Sequence, residues 1–242
     1  MRKKIKVREG RMDDLEGILL VEEEAWPKGL RASREMFEFR LKTFPQGTFV
    51  AEAGGKIEGV VVTEILNSDL INHIRTWDET TDNGYIRNTH NPEGDTIYGV
   101  NLSVSPRAQK RVAIALLEAV GKLVIRYNLK QGLLGGRIPG FAKYFKQYCQ
   151  KKNLSSVSDN EVIGYKERDE IAEEYLWVTT SHSRALDSEI GFYKKLGFKM
   201  IKLLPGYIED PQSLNYGVLF LWPNPFYGKP FPRFWSWLFR VK

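Results

Sequence analysis

Apolar and polar residues alternate from Ile5 to Arg8, the two-residue period of a short strand. Asp13 and Asp14 follow, where negative charge favours a helix N-terminus. Leu15, Ile18, Leu19 and Trp26 then recur at helical spacing until Pro27 and Gly29 stop the helix. Ser33 caps a second helix in which Met36, Phe37 and Leu41 share a face, and Pro45-Gln46-Gly47 ends it. Thr48 to Ala53 and Ile57 to Leu66 are β-branched runs separated by Gly54-Gly55, which predicts a hairpin. Thr96 to Val104 is a further strand. Pro106 starts a helix whose apolar face is Ala113, Leu116, Leu117, Val120, Leu123 and Val124. A short buried strand, Gly132 to Gly136, comes next. Phe141 to Lys151 and Arg168 to Thr179 are helical, and Asp187 to Leu196 is an amphipathic helix closed by Gly197. Phe198 to Leu204 and Gly217 to Trp222 are the last strands.

Helices interleaved with strands predict an α/β fold with a mixed sheet covered on both faces. Two stretches interrupt it. Asn67 to Asp95 is polar and aperiodic, a surface insertion with room for one short helix, and a loop this long in a compact domain is often functional. A second insertion covers about 138–184. The expected organisation is one domain over 1–222 carrying insertions at about 67–95 and 138–184, then an aromatic, basic tail over 223–242.

With 242 residues, 42% of them hydrophobic, the chain can bury a substantial core without metal or disulfide support. Cys149 is the single cysteine, so neither an intrachain disulfide nor a cysteine zinc site is expected, and a reducing cytoplasm fits. His73, His90 and His182 lack metal-ligand spacing, so no metal is expected. No apolar run approaches a bilayer span, and the charged start Met1 to Lys6 does not read as a signal peptide. The net charge of +6 comes without a long basic run or helix-turn-helix signature, so nucleic acid is not an expected partner.

Two segments carry chemistry. The first is a strand, then Ser105-Pro106-Arg107-Ala108-Gln109-Lys110-Arg111-Val112-Ala113, then a long helix. A helix N-terminus offers unpaired N–H groups and a positive dipole end to phosphate, and Lys110 and Arg111 add cations beside it. A plain turn with a solvated basic first turn explains the same residues. The second is Gly191-Phe192-Tyr193-Lys194-Lys195-Leu196-Gly197-Phe198, where Tyr193 is either a packing residue or an O–H proton donor.

In this order and spacing the two segments resemble the GNAT acetyltransferases over nearly the whole chain. Val104-Ser105-Pro106 and Gln109 match the family's cofactor motif, with Ala113 in its last small position; Phe192-Tyr193 and Gly197-Phe198 match its later motif. The loop is one residue short and has Val112 where the family has its first glycine. A narrower series is also present: Gly135-Gly136-Arg137-Ile138-Pro139-Gly140-Phe141, Glu173-Glu174-Tyr175, Asp187, Pro205-Gly206-Tyr207-Ile208-Glu209-Asp210 and Ser213-Leu214-Asn215-Tyr216-Gly217. It resembles the GNAT domain fused to carbon-nitrogen (nitrilase-like) hydrolases, here expected without the hydrolase.

The resemblance implies a mostly antiparallel mixed sheet with one splayed parallel strand pair. It implies acetyl-CoA as cosubstrate, held by Leu102, Val104, Gln109, Lys110, Arg111, Val112 and Ala113. The Leu102 N–H would polarise the thioester carbonyl, a small-molecule or peptide amine would attack directly, and Tyr193 would protonate the leaving thiolate. Glu64, at the end of a strand, is the candidate base. Glu22, Glu23 and Glu24 read as a solvated helix face whose charge favours a cationic amine. The alternative function is a non-catalytic acyl-CoA-binding or regulatory module.

The tail holds Phe231, Phe234, Trp235, Trp237, Leu238 and Phe239 among Lys229, Arg233, Arg240 and Lys242. It is expected to be ordered with its tryptophans mostly buried, either on its own domain or in a homodimer. Membrane association is not expected, because the segment is short for an interfacial helix.

Overall fold

The computed structural model describes residues 4–152 and 164–241. The part of the second insertion over 153–163, and Lys242, lie outside the described residues. The strands are β1 (Ile5–Glu9), β2 (Thr48–Ala53), β3 (Lys56–Leu66), β4 (Thr96–Val104), β5 (Gln131–Arg137), β6 (Lys199–Leu204) and β7 (Gly217–Pro223). The helices are α1 (Leu15–Ala25), α2 (Arg34–Thr43), α3 (Trp77–Thr81), α4 (Arg111–Arg126), α5 (Phe141–Lys151), α6 (Tyr165–Tyr175), α7 (Ser188–Lys195) and α8 (Pro232–Leu238). The strands form a mixed sheet in the order β1-β2-β3-β4-β5-β7-β6. β4 and β5 run parallel, and the pairs β1–β2, β2–β3, β3–β4 and β6–β7 are antiparallel.

The chain divides into two compact units, Met1–Leu134 with Trp222–Lys242, and Gly135–Leu221. In the first, α1 and α4 cover opposite faces of the sheet. Paired residues share a face, and successive pairs alternate between faces. The pair Val60↔Ser103 therefore looks toward α1, whose Glu22 bonds Ser103. The next pair, Gly59↔Val104, looks toward α4, and there Val112 and Leu116 lie so close that a Cβ on Gly59 would come within 2.7 Å of Val112. Ile18, Phe37, Val60, Val62 and Leu116 are fully buried in this core.

The polar stretch 67–95 does more than cross the surface. It forms α3, capped by Thr76, and buries Ile74, Thr81 and Ile86. Arg40 of α2, itself fully buried, donates from Nε to the Gly84 carbonyl at 2.6 Å.

The helix expected from Pro106 begins at Arg111 instead. Residues 105–110 make a turn closed by the Ala108 N–H on the Ser105 carbonyl, 2.9 Å. The expected helix 168–179 runs over Tyr165–Tyr175, because Val178 turns back to accept the Leu186 N–H at 2.8 Å.

The tail is ordered and docks on α4. Phe239 rests on Gly121, where a Cβ would come 2.6 Å from the ring, and Ser236 Oγ donates to the Lys122 carbonyl at 2.9 Å. Its tryptophans are not mostly buried: Trp235 is half-buried and Trp237 is 69% exposed. A seven-residue helix can press only one stripe against α4, and Trp237 lies one position past the Ser236 contact.

Candidate active site

In the first unit the candidate site is the far half of β4. The parallel ladder with β5 runs from Thr96↔Gln131 to Gly99↔Leu134, whereas β4 continues to Val104 along β3. The β3 register skips Val100, between Asn101↔Val62 and Gly99↔Thr63. That bulge turns the Val100 carbonyl to Trp77, whose Nε1 donates to it at 2.8 Å. Leu102 and Val104 are half-buried beyond the bulge.

The α1 face behind this strand is a polar network. Glu22 is 1% exposed and accepts from the Ala32 N–H at 2.8 Å, from Asn101 Nδ2 at 3.2 Å and from Ser103 Oγ at 2.5 Å. Trp26 Nε1 donates to Ser103 Oγ at 2.7 Å. Glu22 is therefore not part of a solvated face. It stands one helical turn after Ile18, on the apolar stripe of α1, and that spacing was the overlooked signal. Glu24, the penultimate residue of the helix, accepts from Ser105 Oγ at 2.5 Å and pairs with Arg107, tying α1 to the 105–110 turn.

The α4 N-terminus has no side-chain cap, and Lys110 and Arg111 are exposed there. Gln109 and Ala113 are half-buried. Val112 is fully buried against Gly59, and its N–H already donates to the Gln109 carbonyl at 2.9 Å. In the position of the missing glycine, then, the side chain belongs to the core and the amide is occupied.

Glu64 sits further along the α1 face, paired in register with Tyr98. It is fully buried, and its Oε2 accepts from Thr89 Oγ1 at 2.6 Å. Burial pushes its carboxyl up to about 8, against the Thr89 hydrogen bond and the attraction of Arg40. Desolvation likewise lowers the buried Arg40 to about 10, although Glu22 and Glu64 oppose it. Glu64 Oε1 and both Arg40 Nη atoms have no hydrogen-bond partner among the described residues. Arg40 follows Phe37 by three positions on a helix face otherwise apolar, a second missed signal.

In the second unit, Asp187 caps α7. Its Oδ1 accepts from the Glu189 and Ile190 N–H groups at 2.9 and 3.2 Å; its Oδ2 accepts from Gly140 N at 3.1 Å and Tyr175 Oη at 3.0 Å. α7 carries Tyr193, which is buried among Phe192, Phe198 and Phe220. Burial, with the Glu189 charge one turn earlier, raises the phenol above its ordinary range. Glu189 itself is pushed up to about 7 by burial, against the Arg137 charge.

The five segments of the narrower series meet in this unit. A Cβ on Gly135 would come 2.0 Å from Tyr207, and one on Gly217 2.5 Å from the same ring. A Cβ on Gly140 would come 2.2 Å from Tyr175 Oη. Arg137 Nε lies 3.1 Å from Asp210 Oδ2, and the Tyr216 ring packs edge-on against Phe141. The series is thus a packing code around β5: aromatic side chains set Gly135, Gly136, Gly140 and Gly217, and a left-handed φ of 67° sets Gly206.

The chain is 31% identical over 221 residues to a Bacillus subtilis (strain 168) protein named uncharacterized N-acetyltransferase YkwB, a match spanning 89% of this chain and 87% of that protein. The chain belongs to the GNAT superfamily. The enzyme class of this GNAT protein is that of the N-acetyltransferases. It is also 30% identical over 224 residues to the probable hydrolase YhcX of the same organism, of which it spans 39%. No family model matches it. Its GNAT fold is shared with the loading GNATL domain of CurA from Lyngbya majuscula, with a TM-score of 0.68, 18% identity and coverage of 91% of this chain and 98% of that one. The GphF GNAT-like decarboxylase in complex with isobutyryl-CoA matches at TM-score 0.66 and 20% identity, covering 90% and 99%.

Proposed function

We propose that this GNAT protein transfers an acetyl group from acetyl-CoA to an amine on a small molecule or peptide, by direct attack, in the cytoplasm. The observation that carries the reading is the far half of β4, which leaves the β5 ladder after Gly99 and runs on past a bulge to the uncapped N-terminus of α4. An open strand edge offers amide groups to an extended amide-bearing arm, and a helix N-terminus offers N–H groups to a pyrophosphate. The fold relative GphF holds an acyl-CoA, which supports the same ligand class here.

In this reading Leu102 and Val104 line the arm, and the Leu102 N–H stabilises charge developing on the thioester oxygen. Gln109, Lys110, Arg111, Val112 and Ala113 form the phosphate end. The Val112 N–H is already bonded within the turn, so Lys110 and Arg111 take a larger share of the pyrophosphate charge. Tyr193 holds its proton well above neutrality, as an acid that protonates a thiolate must. Glu64, at about 8, takes the amine's proton through water, since its side chain is enclosed.

The test is release of free CoA thiol from acetyl-CoA across a panel of small amines and peptides. Amine-dependent release is expected. Tight acetyl-CoA binding with no turnover on any amine would favour the binding-module alternative, and no binding at all would remove both.

A further inference from the structure

We propose that the outer face of the tail, from Tyr227 to Arg240, docks on an anionic lipid surface. The inner face is already satisfied by the protein: Phe239 packs on Gly121 and edge-on against Trp222, and Trp235 stacks on Phe226 with ring centroids 5.0 Å apart. The outer face is bare. Phe231 is 77% exposed, Trp237 69% and Phe234 51%, with Tyr227 and Leu238 also exposed. So many large apolar side chains on one short segment mark a contact surface.

Backbone conformation adds to this. Phe231 adopts a left-handed φ of 59° between Pro230 and Pro232, although bulky residues rarely occupy that region and a following proline disfavours helical backbone. Strain of this kind persists where the surroundings impose it, and here it holds an aromatic ring in water.

Charge selects the occupant. Residues 223–242 contain Lys229, Arg233, Arg240 and Lys242 and no aspartate or glutamate. Lys229 lies over the Phe226 and Trp235 rings, Arg240 pairs with Glu118 of α4, and Arg233 makes no ion pair among the described residues. A second copy of the same face would set cation against cation. A lipid surface bearing negative headgroups accepts both the cations and the aromatic rings, which favour the headgroup region. A seven-residue helix is too short to bind a membrane alone, but α4 has already ordered this one, so docking costs little further entropy.

The experiment is co-sedimentation of the whole protein with phosphatidylcholine vesicles, with and without phosphatidylglycerol. Binding to the phosphatidylglycerol vesicles alone is expected, weakening as salt rises. The double variant Phe231→Ser with Trp237→Ser should bind about tenfold more weakly at an unchanged melting temperature. Should that variant fail to fold, Lys229→Gln with Arg233→Gln supplies the same comparison through charge. No binding by the wild type, or equal binding to both vesicle types, overturns the proposal. So does a concentration-dependent dimer, seen by light scattering, that the double variant abolishes.

Discussion

Tyr193 and Glu64 are both buried titratable groups, yet burial pushes them into opposite usefulness. A phenol made harder to ionise keeps a proton to give; a carboxyl raised to about 8 becomes a base only near that pH. Tyr193→Phe keeps every ring contact with Phe198 and Phe220 and removes the O–H. Turnover is expected to fall by about 10²–10⁴, with acetyl-CoA affinity nearly unchanged. Single-turnover kinetics and calorimetric titration separate the two, and a wild-type rate would return Tyr193 to packing.

Glu64 also makes a stability prediction. Its carboxyl titrates near 4.5 when unfolded and near 8 when folded, so the native state holds the extra proton between those values. Stability contributed by this group is full below about 4.5 and is lost as pH rises toward 8. Glu64→Gln keeps an acceptor for Thr89 and cannot ionise. The variant should therefore gain on the wild type by about 1 kcal/mol or more between pH 5 and pH 9, read from urea midpoints. A constant difference across that range would show that Glu64 does not titrate there.

Among the elements, α7 is anchored by a single residue, Asp187. Asp187 satisfies two N–H groups at the start of the helix and also binds Gly140 and Tyr175, so it joins α7 to the Gly135–Gly140 segment. Asp187→Ala is expected to destabilise the protein by about 2 kcal/mol or more, above an ordinary cap, because the Tyr175 hydroxyl is left buried without its acceptor. Thermal unfolding checks this; a loss below about 0.5 kcal/mol would show that water replaces the carboxylate.

Elements with a strong period were legible in the sequence, and so was the pairing of Ser33 with α2 and of Gly197 with the end of α7. Their signals are local: a cap, a left-handed φ, a repeat of apolar positions. What escaped was set by tertiary contact. Glu22 and Arg40 look like surface charges until α1 and α2 pack, and nothing adjacent in sequence announces Asn101, Ser103 or Gly84 as their partners. The start of α4 was misplaced because Pro106 suits either a helix or a turn, and only the Ala108–Ser105 bond decides between them.

At the scale of the molecule, the tail belongs to the first unit, and this gives α8 a structural role separate from its outer face. Phe239 fills the notch that Gly121 leaves on α4, Ser236 holds the Lys122 carbonyl, and Glu118 gathers Lys122, Arg240 and the Val241 N–H. α4 is also the helix at whose N-terminus we propose the pyrophosphate binds, so the tail braces the far end of that same helix. Deleting residues after Tyr227 should lower the melting temperature by several degrees, since losing even about 2 kcal/mol of packing moves a domain of this size by about that much. Acetyl-CoA at 100 times its dissociation constant should restore about 2.7 kcal/mol, because a ligand that binds only the folded state adds RT ln(1 + [L]/Kd). Scanning calorimetry of the full-length and truncated proteins, each with and without acetyl-CoA, reads both effects. An unchanged melting temperature on truncation would mean that α8 only rests on α4. A normal ligand shift in the truncated protein would show that the N-terminal end of the helix keeps its shape without the brace.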